Sequence, residues 1–487
     1  MQCDPMFLID FYKADHRSQY PKGTTLVYSN FTPRKSRVEG VDHMVFFGLQ
    51  YLIKEYLIDR FQRYFFNQEL EDVKEEYQLF MDATLGPGAI TVEHIEALHR
   101  LGYLPICIKA VPEGTCVPLG TPAMTIYNTH PDFFWLTNYL ETLISCCLWK
   151  MCTSATTARE FRLNFDNYAA YTGGDPTFTP FQGHDFSFRG MSGVEDACMN
   201  GAAHLTCFTG TDTVPAILFC EEYYNADRSK ELIGCSIPAT EHSVMSAGGY
   251  RDEFETYKRL LTEVYPQGLV SIVSDTWDFW NVVTDFLPRM KDIIENRGKD
   301  SGVFSKLVIR PDTGVPHKVI CGDPDGESEP EKKGLARCLY DTFGGKVNPR
   351  GYIDLNPCVG YIYGDSINLE EQEKILKGLR AIGHTTTSCV LGVGSYTYQY
   401  VTRDTYGTVC KATYCEVNGE PRAIFKSPKT GAWKKSHKGL LRVNEDLSVS
   451  QEVTWDEEAG GVLKTVFYNG ELRVEDSLAN IRKRILQ

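Results

Sequence analysis

The sequence has no excess of positive charge. Its 64 acidic side chains outnumber 50 lysines and arginines, for a net charge of −14. General nucleic-acid binding needs a broad basic face, so this balance argues against it, although a few arginines can still reverse the field inside one cleft. No apolar run approaches the roughly 20 residues that span a bilayer, and no membrane segment is expected. The opening MQCDPMFLIDFYKADH has no basic stretch leading into an apolar one, so no secretory leader is expected. C-x-x-C is absent despite sixteen cysteines. Scattered through runs such as ISCCLW and PICIKAV, they read as buried, reduced thiols of a cytoplasmic protein rather than a disulfide framework. Neither a Walker A loop nor a dinucleotide fingerprint occurs.

What is present is an ordinary globular composition, 42% hydrophobic and 23% charged, over 487 residues, enough for two or three domains. Short apolar runs stop abruptly at Asp or Gly: LVSIVSD (269–275), KLVIRPD (306–312), VGYIYGD (359–365) and SCVLGVG (388–394). Continuous apolar runs of this length are the mark of strands buried on both faces, and helix-like segments follow several of them. In NLEEQEKILKGLRAIG, Asn368 with Glu371 predicts a capping box, and Ile375, Leu379 and Ile382 recur at helical spacing. GHDFSFRG (183–190) and LTCFTGTD (205–212) are candidate earlier strands, while the acidic CGDPDGESEPEKKG (321–334) reads as an exposed loop without chemistry. The expected fold class is α/β: an irregular α/β (TIM-like) barrel over 149–395, flanked by an α+β domain built from residues 1–148 and 396–487.

Functional residues of such folds sit where strands end. In IRPDTG, Arg310 suits a phosphate and Asp312 suits ribose hydroxyls or a hydrated Mg²⁺, with a salt-bridged strand end as the plain alternative. Asp275 and Asp365 carry the same ambiguity. Three carboxylates at three strand ends are costly unless cations or hydroxyls satisfy them. In HDFSFRG, Phe186 and Phe188 alternate with polar residues before Arg189, which reads either as a half-buried strand or as a platform for a flat ring. Asp212 in FTGTDTV is a helix cap or an acceptor for a substrate NH, and His242 beside Glu241 in ATEHSVMS is structural or catalytic. Glycines in GVGSYTYQYVTRD (392–404) precede an expected helix that presents backbone N–H groups to phosphate, and WKKSHKG (433–439) is either a solvated basic run or an anion-facing loop.

Read together and in order, these segments resemble the nicotinamide phosphoribosyltransferase family. The likeness runs along nearly the whole chain: DFYKADHRSQYP (10–21), VYSNFTPR (27–34), VFFGLQY (45–51), IKAVPEG (108–114), WLTNYLET (135–142), HDFSFRG, GTDTV, PATEHS, SIVSDTWD, IRPDTG, YGDSI and TRD. It implies a type II phosphoribosyltransferase that acts as a homodimer with shared active sites. The implied reaction joins nicotinamide to phosphoribosyl pyrophosphate, releasing nicotinamide mononucleotide and pyrophosphate. Mg²⁺ would be held mainly by the substrate pyrophosphate, with ATP as an activating co-substrate.

The resemblance also implies roles. Phe186 stacks on nicotinamide, Tyr12 of the partner subunit covers its other face, Asp212 accepts from the carboxamide, and Arg189 lies over the ring or at the phosphate. Arg310, Asp312, Gly364 and Asp365 hold phosphate and ribose, Asp275 orients substrate or metal, and Arg34, Arg403 and Lys411 contact phosphates. His242 is the phosphorylated histidine, supported by Glu241 and Ser236. This sequence departs from the family at 392–396, where Ser395 and Tyr396 replace glycines after Gly394 in the expected phosphate loop. Rival expectations are a nicotinate phosphoribosyltransferase and a non-catalytic signalling protein of the same fold.

Overall fold

In a computed structural model of the chain, residues 3–425 and 436–487 are described. The apolar runs form six parallel strands: β1 (Gly183–Asp185), β2 (Gly210–Thr211), β3 (Leu269–Val273), β4 (Lys306–Arg310), β5 (Val359–Tyr363) and β6 (Cys389–Val393). They pair in the order β2–β1–β6–β5–β4–β3. All five residues of β5 are buried, as a strand covered on both faces requires. The segment 235–239 makes one parallel bridge to each outer strand, Cys235 to Gly210 and Ala239 to Ser271.

A second, antiparallel sheet draws on both ends of the chain. Its order is Glu420–Ala423, Val409–Val417, Thr24–Thr32, Met124–Asn128, Ile106–Ala110, Lys464–Tyr468 and Glu471–Leu472. Strands from 24–128 and 409–472 thus share one sheet. A 32-residue helix, α1 (Glu141–Thr172), crosses the boundary expected at 148/149 and ends at Gly173, whose φ of 74° is a left-handed cap.

Four local expectations change. In the stretch 205–212 only Leu205 belongs to helix α2 (Val194–Leu205) and only Gly210–Thr211 is strand, with a turn and irregular chain between them. In 183–190 the strand stops at Asp185 and Phe188–Gly190 is a 3₁₀ turn, so Phe186 and Phe188 do not alternate along one strand. The stretch 321–334 is not all loop, because Ser328 and Glu331 cap a short helix, Glu329–Lys333, through a full capping box. In α3 (Leu369–Ala381), Asn368 does accept from the Glu371 backbone N–H at 2.8 Å, but the Glu371 side chain accepts from His317 instead of closing the box. A competing tertiary donor drew it away.

All sixteen cysteines are free thiols, and Cys146 alone is exposed. No helix among the described residues is long and apolar enough to cross a membrane. The C-terminal helix, Leu478–Ile485, fixes the parallel sheet from outside. Its Arg482 guanidinium donates to the carbonyls of Leu205, Phe208, Leu232 and Ile233, which flank β2 and the 235–239 segment. Replacing it by alanine strips four carbonyls, three of them part-buried, of a charged donor. Arg482→Ala should cost about 3 kcal/mol, read as a lower denaturant midpoint, and an unchanged midpoint would contradict this account.

Candidate active site

Parallel pairing brings the C-terminal ends of the six strands to one rim. Phe186 follows β1, Asp212 follows β2, Asp275 lies just beyond β3, Arg310 ends β4 with Asp312 behind it, Gly364 and Asp365 follow β5, and Gly394 follows β6. A cavity of about 370 Å³ runs down from this rim, lined by His184, Phe186, Asp212, Ser236, Ser271 and Arg310 among others.

Phe186 sits in a slot cut by two glycines. A Cβ on Gly392 would lie 2.2 Å from its ring, and one on Gly364 2.8 Å from it, so no larger residue fits either place without moving the ring. The His184 ring stands 5.0 Å from it, tilted by 58°. Asp212 Oδ1 accepts from His184 Nε2 at 2.9 Å and from Ser236 Oγ at 2.6 Å. Burial would raise this carboxyl, but those two bonds and the Arg310 charge outweigh it and hold Asp212 below its ordinary value. The side chain remains 49% exposed, with Oδ2 taking neither of these bonds.

At the other side of the rim, Asp275 is turned inward with a side chain 2% exposed. Its Oδ2 accepts from the Asp312 backbone N–H at 2.9 Å and the Thr313 hydroxyl at 2.7 Å, so it shapes the loop after β4 through the chain itself. Asp275 Oδ1 and Arg310 Nε are buried with no hydrogen-bond partner among the described residues. The Asp312 carboxyl is raised by burial and by Asp275 and Asp365, against the opposing pull of Arg310 and His242. His242, half-exposed, has Nε2 3.7 Å from Asp275 and 3.9 Å from Asp312, and Nδ1 3.2 Å from the Thr276 hydroxyl.

The support expected for His242 takes a different form. Ser236 is engaged with Asp212, and Glu241 accepts from Ser243, so neither holds the imidazole; Thr276 does. Adjacency in sequence put Glu241 beside His242, but its carboxylate is taken by Ser243. Arg189 is exposed on the turn after Phe186 and makes no ion pair among the described residues. The glycine departure resolves locally. Ser395 packs against Gly190, where a Cβ would be 2.1 Å from its hydroxyl, and Tyr396 turns outward to lie 5.5 Å from the Tyr400 ring. The helix expected there is a single turn, α4 (Ser395–Tyr398).

Four expected site residues belong to segments outside the parallel sheet. Tyr12 is 60% exposed on a 3₁₀ turn beside His16. Arg34 donates to the Gly407 carbonyl and stands near Arg403, whose charge together with burial lowers it. Lys411 is on the antiparallel sheet opposite Asn30. The run 433–439 lies partly outside the described residues; its His437 bonds the Gly120 carbonyl.

Sequence reasoning passed over His184, although it stands two residues before Phe186 and so shares its side of the chain.

Comparisons with known proteins show the family and the fold. Residues 181–471 match the nicotinate phosphoribosyltransferase (NAPRTase) family, and residues 5–87 match the nicotinamide phosphoribosyltransferase N-terminal domain. The chain belongs to this family. It is 49% identical over 496 aligned residues to a nicotinamide phosphoribosyltransferase of Acinetobacter baylyi, covering 100% of this chain and 98% of that protein. A Mycoplasma genitalium protein of the same name is 32% identical, covering 90% and 96%. In fold, the chain is similar to a Pyrococcus furiosus nicotinate-nucleotide pyrophosphorylase, with a TM-score of 0.59 at 15% identity over 99% of this chain and 95% of that one. The human nicotinic acid phosphoribosyltransferase gives 0.53 at 16% identity over 98% and 92%.

The glycine slot gives a direct test. Gly392→Ala should lose about 1–3 kcal/mol by overpacking Phe186, whereas Gly394→Ala, whose added Cβ meets nothing within 4 Å, should stay near wild type. Equal thermal midpoints for the two variants would show that the ring is not wedged there.

Proposed function

We propose that this chain joins nicotinamide to phosphoribosyl pyrophosphate, giving nicotinamide mononucleotide and pyrophosphate. The observation that carries this reading is Asp212, a half-exposed carboxylate fixed as an acceptor by His184 and Ser236 beside the Phe186 ring. Its Oδ2 suits the carboxamide NH₂ of nicotinamide and repels the carboxylate of nicotinate. A site built around a substrate hydrogen bond can discriminate by about 10⁴–10⁵.

The pyridine nitrogen is already a nucleophile. It forms its bond to C1 of the ribose while the C1–O bond to pyrophosphate breaks and the electron pair leaves with pyrophosphate. No nucleophilic side chain is needed. The chain's part is orientation and charge: Phe186 sets the plane of the base, and Arg310 and Arg189 face anionic oxygens. Asp312 and Asp365 bind ribose hydroxyls and favour the cationic sugar, beside Gly364 and the 394–395 turn. Asp275 is a positioning residue that holds the 312–313 loop.

Among the described residues no three His, Cys, Asp or Glu groups converge as a metal cage. Mg²⁺ requires only one or two carboxylates beside substrate phosphates, and the unpartnered Asp275 Oδ1 with the adjacent Asp312 fits that demand. When bound, Mg²⁺ neutralises the departing pyrophosphate.

The reading extends to the assembly. Phe11 and Tyr12 are exposed, and Tyr12, Arg34, Arg403 and Lys411 come from segments outside the parallel sheet, which supports a homodimer in which one protomer completes its partner's site. The bridges of 235–239 to both outer strands support an irregular α/β barrel over 149–395, with 1–148 and 396–487 as the flanking domain. Free, mostly buried thiols suit the cytoplasm. ATP would phosphorylate the half-exposed His242 and stimulate synthesis.

Incubation with phosphoribosyl pyrophosphate, Mg²⁺ and each base should give nicotinamide mononucleotide; faster turnover of nicotinate would overturn base selection, and a null result with folded protein would favour a non-catalytic role. Asp212→Asn should cut the nicotinamide preference at least about tenfold, judged from the ratio of kcat/KM values. His242→Ala should keep basal synthesis and lose stimulation by ATP, and full stimulation would sink the phosphohistidine role.

A further inference from the structure

The one-turn helix α4 carries the departure from the glycine-rich family loop, and buried polar groups from elsewhere hold it. Lys150, from the middle of α1, donates to the Tyr398 carbonyl and, at 3.3 Å, to the Gln399 side chain. Gln399 in turn donates to the Ser192 hydroxyl on the loop after Arg189. The Tyr398 side chain is 1% exposed, and its hydroxyl lies 2.7 Å from His204 Nδ1. His204 Nε2 lies 3.0 Å from the Gly210 carbonyl.

The directions of these bonds follow from chemistry. A carbonyl only accepts, so Nε2 of His204 carries hydrogen. Burial pushes the imidazole down to about 4, so the ring is neutral and Nδ1 is an acceptor. The Tyr398 hydroxyl therefore donates. At the far end, Gly210 opens β2, two residues before Asp212, and a Cβ there would stand 2.7 Å from His184 Nδ1. His184 is the ring that bonds Asp212.

We propose that Tyr398 and His204 are positioning residues that tie the 394–399 turn to the Asp212 end of β2, so that the phosphate-side turn and the base seat keep one geometry. The proposal rests on the reaction proposed above. Neither residue touches the base or the sugar; they act through the Gly210 backbone and through α4. Loss of the phenolic hydroxyl leaves a buried imidazole nitrogen without its donor and frees the ring that fixes Gly210.

Tyr398→Phe keeps the aromatic packing and removes only that donor. In the full-length protein its KM for nicotinamide should rise about three- to tenfold, the range expected for one lost internal hydrogen bond, with kcat within about twofold. The kcat/KM ratio of nicotinamide over nicotinate should fall by a similar factor. His204→Gln should behave alike, and the double variant should be no worse than the worse single one. Should His204→Gln fail to fold, Tyr398→Phe decides alone. A purely structural role predicts a lower thermal midpoint with wild-type KM and base ratio, and that result overturns the proposal. If wild-type protein makes no mononucleotide, the reaction reading fails. Calorimetric binding of nicotinamide to wild type and Tyr398→Phe then tests the coupling separately, and equal affinities, or no binding by either, overturn it.

Discussion

Parallel pairing of six short strands forces Phe186, Asp212, Asp275, Asp312, Asp365 and Gly394 to leave the sheet on the same side. In-register partners such as Val273 with Arg310, and Asp185 with both Thr211 and Val393, keep those exits level. Everything chemical in the molecule depends on that alignment, because residues as far apart in sequence as Phe186 and Gly394 are gathered at one rim. The helices and the C-terminal Arg482 clamp keep the strands from sliding, and a slip of one residue would exchange the inward and outward sets.

A rim of carboxylates is tolerable because each has a different surrounding. Asp212 has two side-chain donors, His184 and Ser236, and an arginine's field, and stays low. Asp312 has carboxylate neighbours and burial against it, and is raised. Asp275 spends one oxygen on the backbone of the next strand's loop and leaves the other unpartnered. The same residue type thus serves as base acceptor, sugar-facing group and loop anchor, and burial and bonding partners divide the roles.

The strand cores were legible because a fully buried strand needs a continuous apolar run, and 269–273, 306–310, 359–363 and 389–393 carry one. Short edge strands left no such trace: Gly210–Thr211 is two residues long and follows a helix that the sequence presents as part of the same run. Candidate site residues could be picked at strand ends, yet their partners could not. Glu241 is next to His242 in sequence and bonds Ser243, while Thr276, 34 residues away, reaches the imidazole. Lys150, His204 and Tyr398 were invisible as a set, since Lys150 lies in an apolar helix and Tyr398 comes 248 residues later.

By itself the sequence determined the βα succession, the acidic strand ends, the acidic net charge and, through its ordered motifs, the family. These are properties of neighbouring residues, and chain periodicity or composition records them directly. Only the tertiary structure decided that Gly392 and Gly364 make the slot for Phe186, that Ser236 serves Asp212, and that Tyr396 turns away while Tyr398 turns in. Hydrogen bonds and van der Waals contacts act over about 3–4 Å, so they are settled by which distant segments meet, and local sequence carries no record of that meeting.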